Sequence, residues 1–128
     1  MNVDNCNFVN NNASVEPGAI NNCGILNVTN SMFVGNNATW WAGAIHTHSN
    51  AQTRISGSKF IKNHAGWNGG ALFTYSKLEV YNSTFDENIC DTTTGGGAIG
   101  SYNFGSSYNI TIENCSFKNN KNTAVDGN

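Results

Sequence analysis

The chain has 128 residues, enough for one modest domain or a slice of a longer array. Charged residues are only 11% and the net charge is −2, which excludes long-range attraction to nucleic acid or an anionic membrane. No stretch reaches membrane-span length, and 38% apolar residues at regular positions argue against disorder.

From the N-terminus, Met1 opens directly into a short strand around Val3, as a start codon placed on an excised segment would. The remainder of the chain is repetitive. F-x-x-N occurs at Phe8–Asn11, Phe33–Asn36, Phe60–Asn63, Phe85–Asn88 and Phe117–Asn120, with successive phenylalanines 25, 27, 25 and 32 residues apart. Between the copies stand Gly18-Ala19-Ile20, Gly43-Ala44-Ile45, Gly70-Ala71-Leu72 and Gly97-Ala98-Ile99. A period in this range marks a stacked repeat architecture.

Aligned on phenylalanine, each copy reads alike. Val3, Val28, Ile55, Val80 and Ile112 stand five residues before it, and the small Cys6, Ser31, Ser58, Ser83 and Cys115 two before. Strand side chains alternate, so those two columns cannot both face inward on one straight strand. The parity breaks at Asn5, Asn30, Gly57, Asn82 and Asn114, residue types that tolerate positive φ. A bend is predicted there, with one strand before it and a second carrying the phenylalanine. The Asn of F-x-x-N marks the next bend, followed by the small column Ala13, Ala38, Ala65 and Cys90. A variable arm leads to Gly-Ala-Ile/Leu, which starts a third strand.

The pattern predicts an all-β, right-handed parallel β-helix of four to five coils. Each coil has roughly 25 residues and three short strands, and neighbouring coils pair at about 4.8 Å. The coils fall at 3–25, 26–52, 53–77, 78–109 and 110–128, one domain read as part of a longer array. Asn is about a fifth of the chain and suits amide ladders and tight bends. The loop from Gly100 to Asn109 lies outside the frame, and Thr123-Ala124-Val125 reads as a shortened Gly-Ala-Ile.

Paired F-x-x-N and G-G-A-[ILV] motifs resemble the chlamydial polymorphic membrane protein repeat, found also in adhesin-like surface proteins of methanogenic archaea. Gly69-Gly70-Ala71-Leu72 and Gly96-Gly97-Ala98-Ile99 match it fully, while Pro17 and Ala42 replace the first glycine in two other copies. The Asn-rich, lysine-poor composition is closer to the archaeal proteins. The resemblance covers nearly the whole chain. It implies a cell-surface or extracellular passenger used for adhesion, without enzymatic activity or cofactor. Fold alone does not determine function, since β-helices host adhesins, lyases and fibre spikes alike.

The candidate chemistry is sparse. Cys6 and Cys115 share a column four coils apart, too far for a disulfide, and all four cysteines read as buried apolar fillers. His46-x-His48 projects two imidazoles from one strand face with Cys23 in the column of His48, a weak metal candidate because no carboxylate has ligand spacing. The bland alternative is a polar or semi-exposed pair. The eight acids read as solvated surface and the single arginine is Arg54, a poor basis for polysaccharide lysis or glycoside cleavage. Trp40 and Trp67 take the same position in adjacent coils with Trp41 beside them. These rings either stack on sugar or pack over the alanine column on the solenoid's flank. N-x-[ST] occurs at Asn12, Asn27, Asn37, Asn82, Asn109 and Asn114, and the bend positions Asn82 and Asn114 are expected to be partly buried. The expected partners are neighbouring coils or a second copy stacked end to end, and a surface glycan or protein. Nucleic acid and membrane insertion are not expected. The alternatives are a polysaccharide-active enzyme fragment and a self-stacking fibre module.

Overall fold

Left-handed backbone recurs at fixed places and turns the chain into coils. In the computed structural model, which describes residues 1–103, 105 and 107–123, the predicted bend residues Asn5, Asn30, Gly57, Asn82 and Asn114 have φ of 53°, 49°, 59°, 49° and 53°. A second left-handed column comes at Asn10, Gly35, Lys62, Glu87 and Asn119. It lies one residue ahead of the F-x-x-N asparagine, which is turned inward and leaves the bend to its neighbour.

The first coil holds β1 (Asn2–Asp4), β2 (Asn7–Val9), β3 (Asn12–Ala13) and β4 (Ile20–Asn22). The second holds β5 (Ile25–Thr29), β6 (Met32–Val34), β7 (Asn37–Ala38) and β8 (Ile45–Thr47). In the third are β9 (Gln52–Ser56), β10 (Lys59–Ile61), β11 (His64–Ala65) and β12 (Leu72–Thr74). The fourth has β13 (Lys77–Tyr81), β14 (Thr84–Asp86), β15 (Ile89–Cys90) and β16 (Ile99–Ser101). The fifth carries β17 (Ile110–Glu113), β18 (Ser116–Lys118) and β19 (Lys121–Asn122).

Corresponding strands pair in parallel and form four sheets, β1-β5-β9-β13-β17, β2-β6-β10-β14-β18, β3-β7-β11-β15-β19 and β4-β8-β12-β16. The protein is a parallel β-helix. Three strands per coil were predicted; the first four coils have four each, and the fifth has three among the described residues. The extra sheet is built from the two-residue strands of the small Ala/Cys column, which the left-handed residue before them separates from the phenylalanine strand. Gly100 and Ser101, expected to lie outside the frame, pair with Phe73 and Thr74. Of the shortened Gly-Ala-Ile reading at Thr123-Ala124-Val125, the last two residues lie outside the described residues.

Register places like on like. Phe8, Phe33, Phe60, Phe85 and Phe117 are successive pairing partners. Their rings stack at 4.7, 4.8, 4.8 and 4.9 Å between centroids, within 5° of parallel. That separation is one strand spacing, so the ring column follows from the backbone pairing. Val3, Val28, Ile55, Val80 and Ile112 line up in the first sheet in the same way. With Leu26, Ile45, Leu72 and Leu78, the members of both columns in the first four coils fill the core.

The inward asparagines form a second column. Asn63 Nδ2 donates to Asn88 Oδ1 (3.0 Å) and to the Phe33 carbonyl (2.9 Å). Its Oδ1 accepts from the Asn36 backbone N–H (3.0 Å) and from Asn36 Nδ2 (2.9 Å). This uses both donors and both lone pairs of a buried amide. Asn36 and Asn88 do the same with their neighbours, and Asn11 and Asn120 end the described column.

Two burial expectations need correction. Only Cys90 is buried; Cys115 is half-buried, and Cys6 and Cys23 are exposed. Cys6 and Cys115 occupy the outermost coils, so the column that buries Ser31, Ser58 and Ser83 covers them on one side only. Asn82 and Asn114 are exposed, because a left-handed bend turns its side chain away from the core. Among the described residues, no helix is long and apolar enough to cross a membrane.

Candidate functional site

Beyond the two-residue strands of the third sheet, the chain leaves the frame as an arm and returns through Gly-Ala-Ile/Leu. The arms themselves stack. The Trp40 N–H donates to the Val15 carbonyl (3.1 Å), the Trp67 N–H to the Trp40 carbonyl (2.9 Å), and Trp41 bridges to Asn68 in parallel. Glycine is required at the return. A Cβ on Gly43 would stand 2.2 Å from the Gly70 carbonyl oxygen and 2.6 Å from the His64 nitrogen, both backbone atoms. Gly18 and Gly70 are confined by their neighbours in the same way.

Counting back two residues from this glycine column brings Glu16, Trp41 and Asn68 into one column. Each reaches one coil onward, onto an outward-facing residue of the fourth sheet. Glu16 meets His46, Trp41 stacks on Phe73 (4.5 Å, 29°), and Asn68 Oδ1 occupies the space a Gly100 Cβ would need. His46, Phe73 and Gly100 are themselves successive partners in β8, β12 and β16. One backbone relation is thus used three times, with a carboxylate on imidazole, a ring on a ring and an amide over glycine.

The tryptophans do not form a flat pair. Trp40 and Trp67, though equivalent in register, meet edge to face at 5.4 Å and 78°, and are 48% and 42% exposed. Trp41 lies between Trp67 (4.3 Å) and Phe73, half-buried over the fourth sheet rather than over the alanine column. Beyond it opens a cleft of about 450 Å³ lined by Trp41, Trp67, Asn68, Tyr75, Thr94, Ser101 and Tyr102. Its walls are aromatic faces with a few amide and hydroxyl groups, the composition of sites that take small polar rings.

Next to the cleft sits the histidine pair. The His46 side chain is fully buried, with its ring 4.2 Å from His48, 5.5 Å from Phe73 and 5.4 Å from Tyr75. His46 Nδ1 lies 3.0 Å from Glu16 Oε2, and His48 Nε2 lies 3.6 Å from the same oxygen. Neither Nε2 atom has a hydrogen-bond partner among the described residues. A buried unpaired polar atom costs about 1–3 kcal/mol. Burial, and then the neighbouring His48, hold the His46 pKa below its ordinary value, against the charge and hydrogen bond of Glu16. Burial pushes the Tyr75 hydroxyl up, with further contributions from Glu16 and Tyr102.

His46 and His48 are therefore one buried and one half-exposed ring, not a semi-exposed pair, and a carboxylate does join them. Sequence spacing puts Glu16 among the solvated acids because it lies 30 residues from His46 and outside the F-x-x-N frame. The signal that finds it is its place two residues before Gly18, equivalent to Trp41 before Gly43. Cys23 stands beside His48 in register but is exposed and apart from the three-residue group.

Compared with protein families, curated proteins and solved structures, the chain matches none.

Proposed function

We propose that this protein is a non-enzymatic display scaffold of the cell-surface adhesin type, contacting glycan through the arms. One observation carries the reading. Core columns repeat the same side chains coil after coil, while the departures gather on the arms and the outer face of the fourth sheet, beside an aromatic cleft. The resemblance of the F-x-x-N and G-G-A-[ILV] columns to the polymorphic membrane protein repeat supports the surface location. Exposed Trp67 and Tyr102 supply ring faces for sugar, and Asn68, Thr94 and Ser101 supply hydrogen-bonding groups at the same cleft.

The test is retention on a glycan array of the protein and its Trp67→Ala and Tyr102→Ala variants. Loss of a specific glycan signal in both is expected; unchanged retention disposes of the cleft as a sugar site. Turnover on a panel of polysaccharides would instead favour the enzyme alternative.

A second reading rests on a different surface. Ile112 and Phe117 are 42% and 47% exposed at the fifth coil, where the core columns open onto a hollow of about 490 Å³. This surface fits one more coil, either of a continuing chain or of a second copy stacked end to end. Concentration-dependent light scattering separates self-stacking from a monomeric rod.

A further inference from the structure

We propose that Glu16, His46 and His48 form a site for a divalent transition ion of the zinc class. Three side chains of types that zinc takes converge from two separate segments, the arm of the first coil and β8 with its following residue. One ligand atom from each lies within 4.8 Å of the others. Tetrahedral zinc with bonds of about 2.0–2.1 Å places its ligand atoms about 3.3–3.4 Å apart. The two measured separations from Glu16 Oε2, 3.0 and 3.6 Å, bracket that value. The third separation, between the two imidazole nitrogens, is within 4.8 Å, and the 35% exposed His48 side chain is the ligand that closes it on the ion.

The chemistry selects the ion. Two imidazoles and one carboxylate suit zinc, whereas calcium and magnesium take oxygen ligands. The His48 Nε2 atom, buried without a hydrogen-bond partner, gains one in the ion. His46 ligates through Nδ1, so its proton moves to Nε2, among the rings of Phe73 and Tyr75. A ring N–H against aromatic faces is a weak hydrogen bond, where a bare lone pair there has none. Three protein ligands leave a fourth position for water or an incoming oxygen donor. The cleft shares Tyr75 and Trp41 with the shell of His46, so that position belongs to the same face as the aromatic walls.

The experiment is calorimetric titration of the whole chain with zinc, with calcium and magnesium as controls, and then absorption spectroscopy with cobalt(II). One zinc per chain is expected, with no heat from calcium or magnesium. Glu16→Gln and His48→Ala should each weaken binding by about 100-fold or more, since even an outer hydrogen-bond partner of a ligand is worth about 10–100-fold. Both side chains are partly exposed, so both variants should keep the wild-type circular dichroism spectrum. His64→Ala and Cys23→Ser should bind as the parent does, and cobalt should show d–d bands without thiolate charge transfer. The site is overturned by the absence of saturable one-ion binding, by its survival in both ligand variants, or by a thiolate band that disappears in Cys23→Ser.

Discussion

Two columns climb the solenoid in the same register and obey different rules. Inside, Asn11, Asn36, Asn63, Asn88 and Asn120 bond to one another, each amide donating to the next and accepting from the one before. On the arms, Glu16, Trp41 and Asn68 ignore one another's chemistry and each serves a residue of a different sheet, one coil onward. A column that pairs with itself must keep one residue type, because a single foreign member orphans groups on both sides. One that pairs diagonally needs only a matched couple at each level. The backbone is constant in both, so the arms are where side chains vary without unmaking the coil.

The sharpest way to break the comparison is Asn63→Ala. It removes four buried hydrogen bonds and leaves the Asn36 backbone N–H and one Asn36 Nδ2 proton without their acceptor, an expected loss of about 5 kcal/mol. Asn68→Ala removes the one hydrogen bond its Oδ1 accepts from the Gly96 N–H, an expected loss of about 1 kcal/mol. Urea unfolding of the two variants measures the contrast; equal losses would abolish the distinction.

Position along a column matters next. Phe60 is fully buried between Phe33 and Phe85, so Phe60→Ala should cost about 4 kcal/mol. Phe117 has Phe85 on one face and is 47% exposed, so Phe117→Ala should cost about 1 kcal/mol. The same denaturation experiment reads the ratio.

A smaller effect, opposite in sign, comes from the bends. Lys62 has φ of 53° where a neighbouring coil has Gly35 and the first coil Asn10. Lys62→Asn should raise stability by about 0.5–1 kcal/mol, since asparagine tolerates this conformation better. The Lys62–Glu87 ion pair it loses is exposed at 3.7 Å and contributes little. A lower melting temperature in Lys62→Asn would mean that the pair outweighs the backbone.

The smallest effect concerns Asp91 at the end of the third sheet. Burial raises its carboxyl pKa, but hydrogen bonds from His64 (2.8 Å) and Thr123 (2.9 Å), with the His64 charge, bring it below the ordinary value. A depressed carboxyl pKa stabilises the fold above the unfolded-state pKa, and that contribution fades as pH falls through the lower folded value. The stability difference between the protein and Asp91→Asn should therefore be present at neutral pH and vanish in strong acid. A difference that persists in acid would assign it to the shape of the side chain rather than its charge.

Much of the fold is legible in the sequence because pairing in a solenoid is translational. The 25- to 32-residue spacing of the phenylalanines is itself the register of β2, β6, β10, β14 and β18. The Asn/Gly column likewise announces its positive φ. The third sheet is harder to see, since a two-residue strand has one inward position and no alternation to count. Glu16 is hidden for another reason. The F-x-x-N motifs stop before the arms, and only the return glycine puts Glu16 level with Trp41.

The primary sequence by itself determined the period, the vertical columns and the inward set, because each coil repeats the chemistry that the next coil must match. Which arm residue meets which sheet residue was decided only by the folded chain. Glu16 and His46 belong to different segments and different coils, and the F-x-x-N spacing does not join them. Their contact depends on how far an irregular segment swings out and where it crosses the coil beyond, which is a property of the packed solenoid.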